Sequence, residues 1–220
     1  MGEAKDNKPP WSDRLQELLV PVLRHQIERH GIKDTGAANF YNIRVQEGYI
    51  YRNFEIELTR KLLACGLDIR RIDEIGSGFG HLMFLLGWNG FKTVGYESLG
   101  PRARTAAMLR EVLNLVEPEL TGNIQLFQEE FPSSKTPPPE PGSLVLTTNL
   151  VSTRSEAQVL EVLKAMRRYP FVLSDVLRFF EERSDPEEGL ALFAKAGLKN
   201  HELFYDAGVF GRFYLFVNAD

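Results

Sequence analysis

The chain has 220 residues, 43% of them hydrophobic, and its 26 Lys and Arg against 30 Asp and Glu leave a formal charge of −4. That length and apolar content are enough to bury a full core, and no apolar run approaches the roughly 20 residues that span a bilayer. Acids and bases are interleaved along the whole chain instead of forming the basic face of a nucleic-acid binder, so neither a membrane nor a nucleic acid is expected as a partner. After Pro9 and Pro10, Ser12 is placed to cap a helix whose Leu15, Leu18, Leu19, Val22, Leu23 and Ile27 form an apolar stripe, with Pro21 expected to bend it. A second segment, Phe40 to Phe54, is rich in aromatic residues and arginine, and leads into a helix that ends at Cys65-Gly66. Residues 1–65 therefore read as a helical extension preceding a core of residues 66–220.

The core opens on Arg71-Ile72-Asp73-Glu74-Ile75-Gly76-Ser77-Gly78-Phe79-Gly80, a short apolar strand running into an acid and a turn with three glycines. Glycine lets the backbone turn sharply and lie flat against a ligand, and the apolar run from His81 to Trp88 is suited to a buried helix. In the dinucleotide fingerprint G-x-G-x-x-G the third glycine falls one place later than Gly80, so the register is wrong for NAD. The carboxylate of Glu74, two places before the first glycine, would repel a pyrophosphate but suits an ammonium or sulfonium group. The segment from Glu74 to Gly80 resembles the first motif of the Rossmann-like, class I, S-adenosylmethionine-dependent methyltransferases, acidic-x-G-x-G-x-G. The resemblance implies S-adenosylmethionine as cofactor, held at Glu74, Gly76, Ser77, Gly78 and Gly80. Read on its own, the same turn also serves as a structural strand-to-helix loop.

Further along, Phe91 to Glu97 is a β-type run ending in a carboxylate at the distance where such folds hold a ribose. Glu97 can accept both ribose hydroxyls, with Ser98 beside it; a solvated strand-end charge is the other reading. Gly100-Pro101 opens a helix that carries Ala106, Met108, Leu109, Val112, Leu113 and Val116. Asn123 to Gln128 reads as a third strand, followed by Glu129-Glu130, where the resemblance implies an acid accepting from the adenine amino group. Glu130 is favoured over Glu129, against a surface charge pair. Pro132 to Gly142 holds too many prolines for the helix that commonly follows, and is expected to be an exposed loop. Ser143 to Leu150 is a buried strand resembling the fourth motif of the family, which implies Asn149 between the methionine end of the cofactor and the substrate. Ser143 stands where family members often carry an aspartate.

Ser155 to Arg168 has helical spacing and stops at Tyr169-Pro170 before the strand Phe171 to Ser174. Asp185-Pro186 caps a helix closed by Gly197, and His201 to Tyr205 and Arg212 to Val217 are near enough in sequence for a hairpin. The expected fold is α/β: a mostly parallel, seven-stranded Rossmann-like methyltransferase sheet with helices on both faces, a C-terminal antiparallel hairpin and the N-terminal helical extension. The aromatic segment of that extension either packs on the sheet or forms a lid, with Tyr41 and Tyr51 lining the pocket and Arg44 or Arg52 pairing with an anionic substrate group.

Cys65 is the only cysteine, which rules out an internal disulfide and a cysteine-rich metal site, and the four histidines show no metal-binding spacing. Met1 to Asp6 lack the apolar centre of a signal peptide and the Ser or Thr of a myristoylation signal, so a cytoplasmic location is expected. The family's Asn-Pro-Pro-Tyr and Pro-Cys signatures of base methylation are missing, which leaves a small molecule, a lipid-like or natural-product intermediate, or a protein side chain, of which a small molecule is the expected substrate. Methyl transfer from a sulfonium needs a general base only if the nucleophile starts protonated, and His81 and Asp175 are the two candidates near the sheet's carboxyl edge. Two alternatives stand beside this reading: a cofactor- or partner-binding protein of this fold without turnover, and a nucleotide-dependent oxidoreductase.

Overall fold

The computed structural model describes residues 10–218; the reading of Met1 to Asp6 and Pro9 lies outside them. Three helices come first, α1 (Pro10–Thr35), α2 (Asn39–Gln46) and α3 (Asn53–Ala64). There follow β1 (Arg71–Ile75), α4 (His81–Trp88), β2 (Lys92–Tyr96), α5 (Gly100–Val116), the one-turn α6 (Pro118–Thr121), β3 (Ile124–Phe127) and β4 (Ser143–Thr147). The chain continues through β5 (Leu150–Val151), α7 (Glu156–Met166), β6 (Phe171–Asp175), β7 (Phe179–Phe180), α8 (Pro186–Lys195), β8 (His201–Asp206) and β9 (Arg212–Val217). Seven strands form one sheet in the order β3-β2-β1-β4-β6-β9-β8, and β5 pairs with β7 beside it. The first five of the seven are parallel, while β9 runs antiparallel to both β6 and β8. This is the expected α/β sheet with its terminal hairpin.

Strands β1 and β4 are buried at every position, as the centre of a two-sided parallel sheet requires. Alternation of side chains sorts the core into two layers. Ile72, Leu144, Leu146, Leu173, Phe213 and Leu215 face a cluster shared with the apolar sides of α1, α3, α4 and α5. Val94, Val145, Val172 and Phe216 face the opposite cluster under α7 and α8. The N-terminal stripe is thereby satisfied: Leu15, Leu19, Leu23 and Ile27 are buried in the first layer, where α1 crosses α4 and α5. Pro21 leaves the α1 dihedrals helical, and the break expected there falls at Gly31, with φ 76° and ψ 167°. Only glycine takes that left-handed conformation without a steric cost.

Two of the expected caps are in place, on α7 and α8, whereas α1 begins at Pro10, so Ser12, expected to cap it, lies inside the helix. Ser155 and Gln158 form a reciprocal capping box on α7, and Asp185 accepts from the Glu187 amide on α8. The proline-rich segment is not helical, as expected, but it is fastened rather than loose. Arg71 donates from Nη1 to the Pro138 carbonyl at 3.1 Å and from Nη2 to the Pro137 carbonyl at 3.2 Å. The same guanidinium grips Asp73 at 2.7 and 2.6 Å, and the Tyr169 hydroxyl donates to Asp73 at 2.6 Å. A buried acid with three donors thus replaces the helix commonly found at this crossover. Among the described residues no helix is long and apolar enough to cross a membrane.

Candidate functional site

The parallel strands end together, and the loops beyond β1, β2, β3 and β4 surround two adjoining cavities. β1 aligns Glu74 with Gly95 of β2 and Leu146 of β4, so Glu74 reaches the sheet edge between two neutral residues. The turn after it places Gly76, Gly78 and Gly80 at φ values of 74°, 57° and 72°. A Cβ on Gly76 would come 2.6 Å from Leu150, and one on Gly78 would come 2.7 Å from the Tyr41 hydroxyl. At both positions the positive φ disfavours a side chain, and a Cβ would in addition make Leu150 or Tyr41 shift. Gly80 serves differently: it caps α4 and its α-hydrogen faces Phe84 and Leu126, away from the cavities.

The first cavity, about 190 Å³, is lined by Glu97, Ser98, Glu129, Glu130 and Asn149 among others. Glu97 is buried, and its carboxylate accepts from the Gly78 amide at 3.0 Å and the Leu99 amide at 2.8 Å. It therefore ties the glycine turn to the end of β2 while lining the cavity. Glu129 pairs with Lys135 and is 23% exposed, whereas Glu130 is 66% exposed and pairs at 3.2 Å with Arg154. Asn149, at φ 47°, lines both cavities in a conformation that Asn tolerates better than most residues.

The second cavity, about 370 Å³, is lined by Glu74, Ser77, Gly78, Thr148, Tyr41, Arg52 and His81, with Phe40, Phe54 and Phe210 as apolar walls. Gly76, Arg102 and Asn149 are common to the two. Glu74 is buried; one carboxyl oxygen accepts from the Thr148 hydroxyl at 3.0 Å, and the other has no partner among the described residues. Burial pushes this carboxyl up to about 8, against the pull of the Thr148 hydrogen bond, and the nearby charges of Glu55 and Glu97 add to the rise. An orphaned buried acceptor beside a glycine turn is a ready position for a cationic donor.

The candidates of the N-terminal extension divide. Tyr41 lies on Phe79 with ring centroids 4.3 Å apart and lines the second cavity, and Arg52 lines it too, its guanidinium 5.2 Å from the Phe210 ring. Arg44 does not reach the cavity: it is buried, donating to the Ile50 carbonyl at 3.1 Å and paired with Glu55 at 3.4 Å. Tyr51 is also turned inward, its hydroxyl donating to the His81 carbonyl at 2.9 Å. Of the two proton-transfer candidates, His81 lines the second cavity and Asp175 lines neither. One oxygen of Asp175 accepts from the Leu177 and Arg212 amides, each at 3.1 Å, which locks the end of β6 to β9.

Sequence reading did not single out Glu55, Arg102, Thr148 or Phe180. Thr148 sits next to Asn149 in the loop after β4, so its neighbour was a usable signal. Phe180 lines the first cavity at φ 62°, a conformation that bulky residues rarely adopt and that no local pattern announces.

No protein-family profile matches the chain, and no curated protein matches it in sequence. Solved structures do match in three dimensions, S-adenosylmethionine-dependent methyltransferases among them. A TehB-like methyltransferase from Corynebacterium glutamicum aligns at TM-score 0.59 and 12% identity, over 85% of this chain and 98% of that one. Magnesium protoporphyrin IX methyltransferase from Synechocystis, with S-adenosylmethionine bound, aligns at TM-score 0.56 and 12% identity over 91% and 97%. The N-terminal domain of EvdMO1, with S-adenosylhomocysteine bound, aligns at TM-score 0.57 and 16% identity over 78% and 84%. The chain has the class I methyltransferase fold.

Proposed function

We propose that this protein is an S-adenosylmethionine-dependent methyltransferase that acts on a small molecule by direct, in-line transfer. The observation that carries the reading is the pair of adjoining cavities with a buried acid in each, Glu97 in one and the half-unpartnered Glu74 in the other. On this reading Glu97 and Ser98 hold the ribose, and Glu129 and Glu130 flank the adenine. Glu74, Gly76, Ser77 and Gly78 hold the amino-acid end, with Asn149 between the two. The structural matches with S-adenosylmethionine or S-adenosylhomocysteine bound support the same choice of cofactor.

The bound cofactor supplies an electrophilic methyl carbon; the chain's own residues orient the acceptor and exclude water. On this reading the N-terminal extension, of which residues 10–65 are described, acts as a lid on the core of residues 66–220, with Tyr41 resting over the glycine turn. Arg52 forms no ion pair among the described residues, and burial, together with the neighbouring Arg44, presses its guanidinium below the ordinary arginine range. It is the arginine suited to an anionic group on the substrate. Calorimetry with S-adenosylmethionine, S-adenosylhomocysteine and NAD tests the reading. The two adenosyl compounds are expected to bind and NAD is not; binding of NAD alone would replace it with the oxidoreductase alternative.

A further inference from the structure

His81 is the first residue of α4, directly behind the glycine turn, and its imidazole is held by a residue of the extension. Nε2 lies 3.0 Å from Glu55 Oε1, while Nδ1 is buried and has no partner among the described residues. An ionised carboxylate only accepts hydrogen bonds, so Nε2 carries a proton in this contact, and Nδ1 is the ring nitrogen left without a protein partner among the described residues. Glu55 is itself immobilised: its other oxygen caps α3 by accepting from the Arg52 amide at 2.6 Å, and Arg44 lies 3.4 Å from Oε1. Burial pushes the Glu55 carboxyl up, but His81, Arg44 and the Arg52 amide outweigh it and hold the carboxyl below its ordinary range. The other titratable groups around the ring are Tyr41 of α2, edge-on at 5.5 Å, Tyr51 of the loop before α3, at 5.9 Å, and Glu74 across the cavity.

We propose that His81 is the general base of the reaction, that Glu55 positions it, and that the methyl acceptor is a hydroxyl on an aromatic compound. This rests on the methyltransferase reading above. A base held in one tautomer is needed only where the nucleophile arrives protonated, which a neutral amine or a thioether does not. The aromatic preference follows from Phe40, Tyr41, Phe54 and Phe210 in the same wall. The hydroxyl proton passes to Nδ1, the oxygen lone pair forms the new carbon–oxygen bond, and the electron pair of the carbon–sulfur bond goes to sulfur. The imidazolium, stabilised beside Glu55, returns its proton to water.

The full-length protein loaded with S-adenosylhomocysteine is titrated with 4-nitrophenol slightly below neutral pH, where the free probe is mostly the colourless phenol. The wild type is expected to bind the probe and develop the yellow of the phenolate. His81→Gln should bind S-adenosylhomocysteine as the wild type does and lose the colour, and Glu55→Gln should lose most of it. Nitrogen NMR of the wild type across a pH titration should show that, when the His81 ring is neutral, its single proton sits on Nε2, a readout that needs no variant. The proposal is overturned by a colourless wild-type complex, by absence of probe binding, by colour retained in His81→Gln, or by a neutral ring whose single proton is on Nδ1. Failure of S-adenosylhomocysteine itself to bind would instead strike the cofactor reading.

Discussion

Replacing Glu74 with Gln tests the proposed cofactor site at the acid whose second oxygen has no partner among the described residues. In the free protein burial holds the Glu74 carboxyl near 8, so the fold favours the protonated form. For an acid raised in this way, the stabilising contribution is complete below the ordinary value of 4.5 and is lost as pH rises through about 8. An ammonium group placed against the unpartnered oxygen reverses the preference, because it pairs with the ionised form. Each pH unit between working pH and that value costs about 1.4 kcal/mol for the ionisation. Affinity for S-adenosylhomocysteine should therefore rise about tenfold from pH 7 to a plateau above pH 8, with close to one proton released on binding at pH 7. Glu74→Gln keeps the shape and the contact to Thr148 while removing the charge. It should lower affinity by about 1.5–3 kcal/mol, flatten the pH dependence, and leave the free protein less sensitive to alkaline pH in thermal melts. Calorimetry in two buffers of different ionisation enthalpy measures both affinity and proton release. A variant that binds within twofold of the wild type, with the same pH profile, would refute the pairing of Glu74 with an ammonium.

Further substitutions test binding and folding at single contacts. Glu97→Ala should weaken S-adenosylhomocysteine binding by about 1.5–3 kcal/mol and also lower the melting temperature of the free protein, since the same carboxylate holds the Gly78 and Leu99 amides. Unchanged affinity would exclude it from the ribose site. Gly78→Ala forces a Cβ to 2.7 Å from the Tyr41 hydroxyl at a φ of 57°. Adding Tyr41→Phe should recover part of the lost stability, a coupling of about 0.5 kcal/mol or more in a double-mutant cycle by denaturant unfolding, and strict additivity would argue against that contact. Arg44→Ala breaks a buried pair and should cost about 3 kcal/mol of stability, whereas Arg52→Ala should leave unfolding nearly unchanged and raise the KM for substrate. Equal unfolding curves for the two variants would contradict their different burial.

Much of this molecule is written in short stretches of its sequence. The alternation of strand and helix from Arg71 onward, the caps at Ser155 and Asp185, and the closing hairpin depend on periodicity and turn chemistry within a few residues. The glycine turn with Glu74 before it, and Glu97 at the next strand end, follow from the same local logic, because the order of elements along a parallel sheet fixes which loops meet at its carboxyl edge. What a side chain does after it reaches that edge depends on packing between distant segments. Arg44 and Arg52 stand alike in the sequence, yet the seating of α2 and α3 buries one against Glu55 and turns the other into the cavity. Glu55 meets His81 across 26 residues, and Tyr169 meets Asp73 across 96, pairings that no local pattern encodes. The sequence determined the frame and the two acids that line the adjoining cavities; the docking of the extension on the sheet decided which histidine, arginine and aromatic rings face them, since burial and orientation are properties of the packed whole.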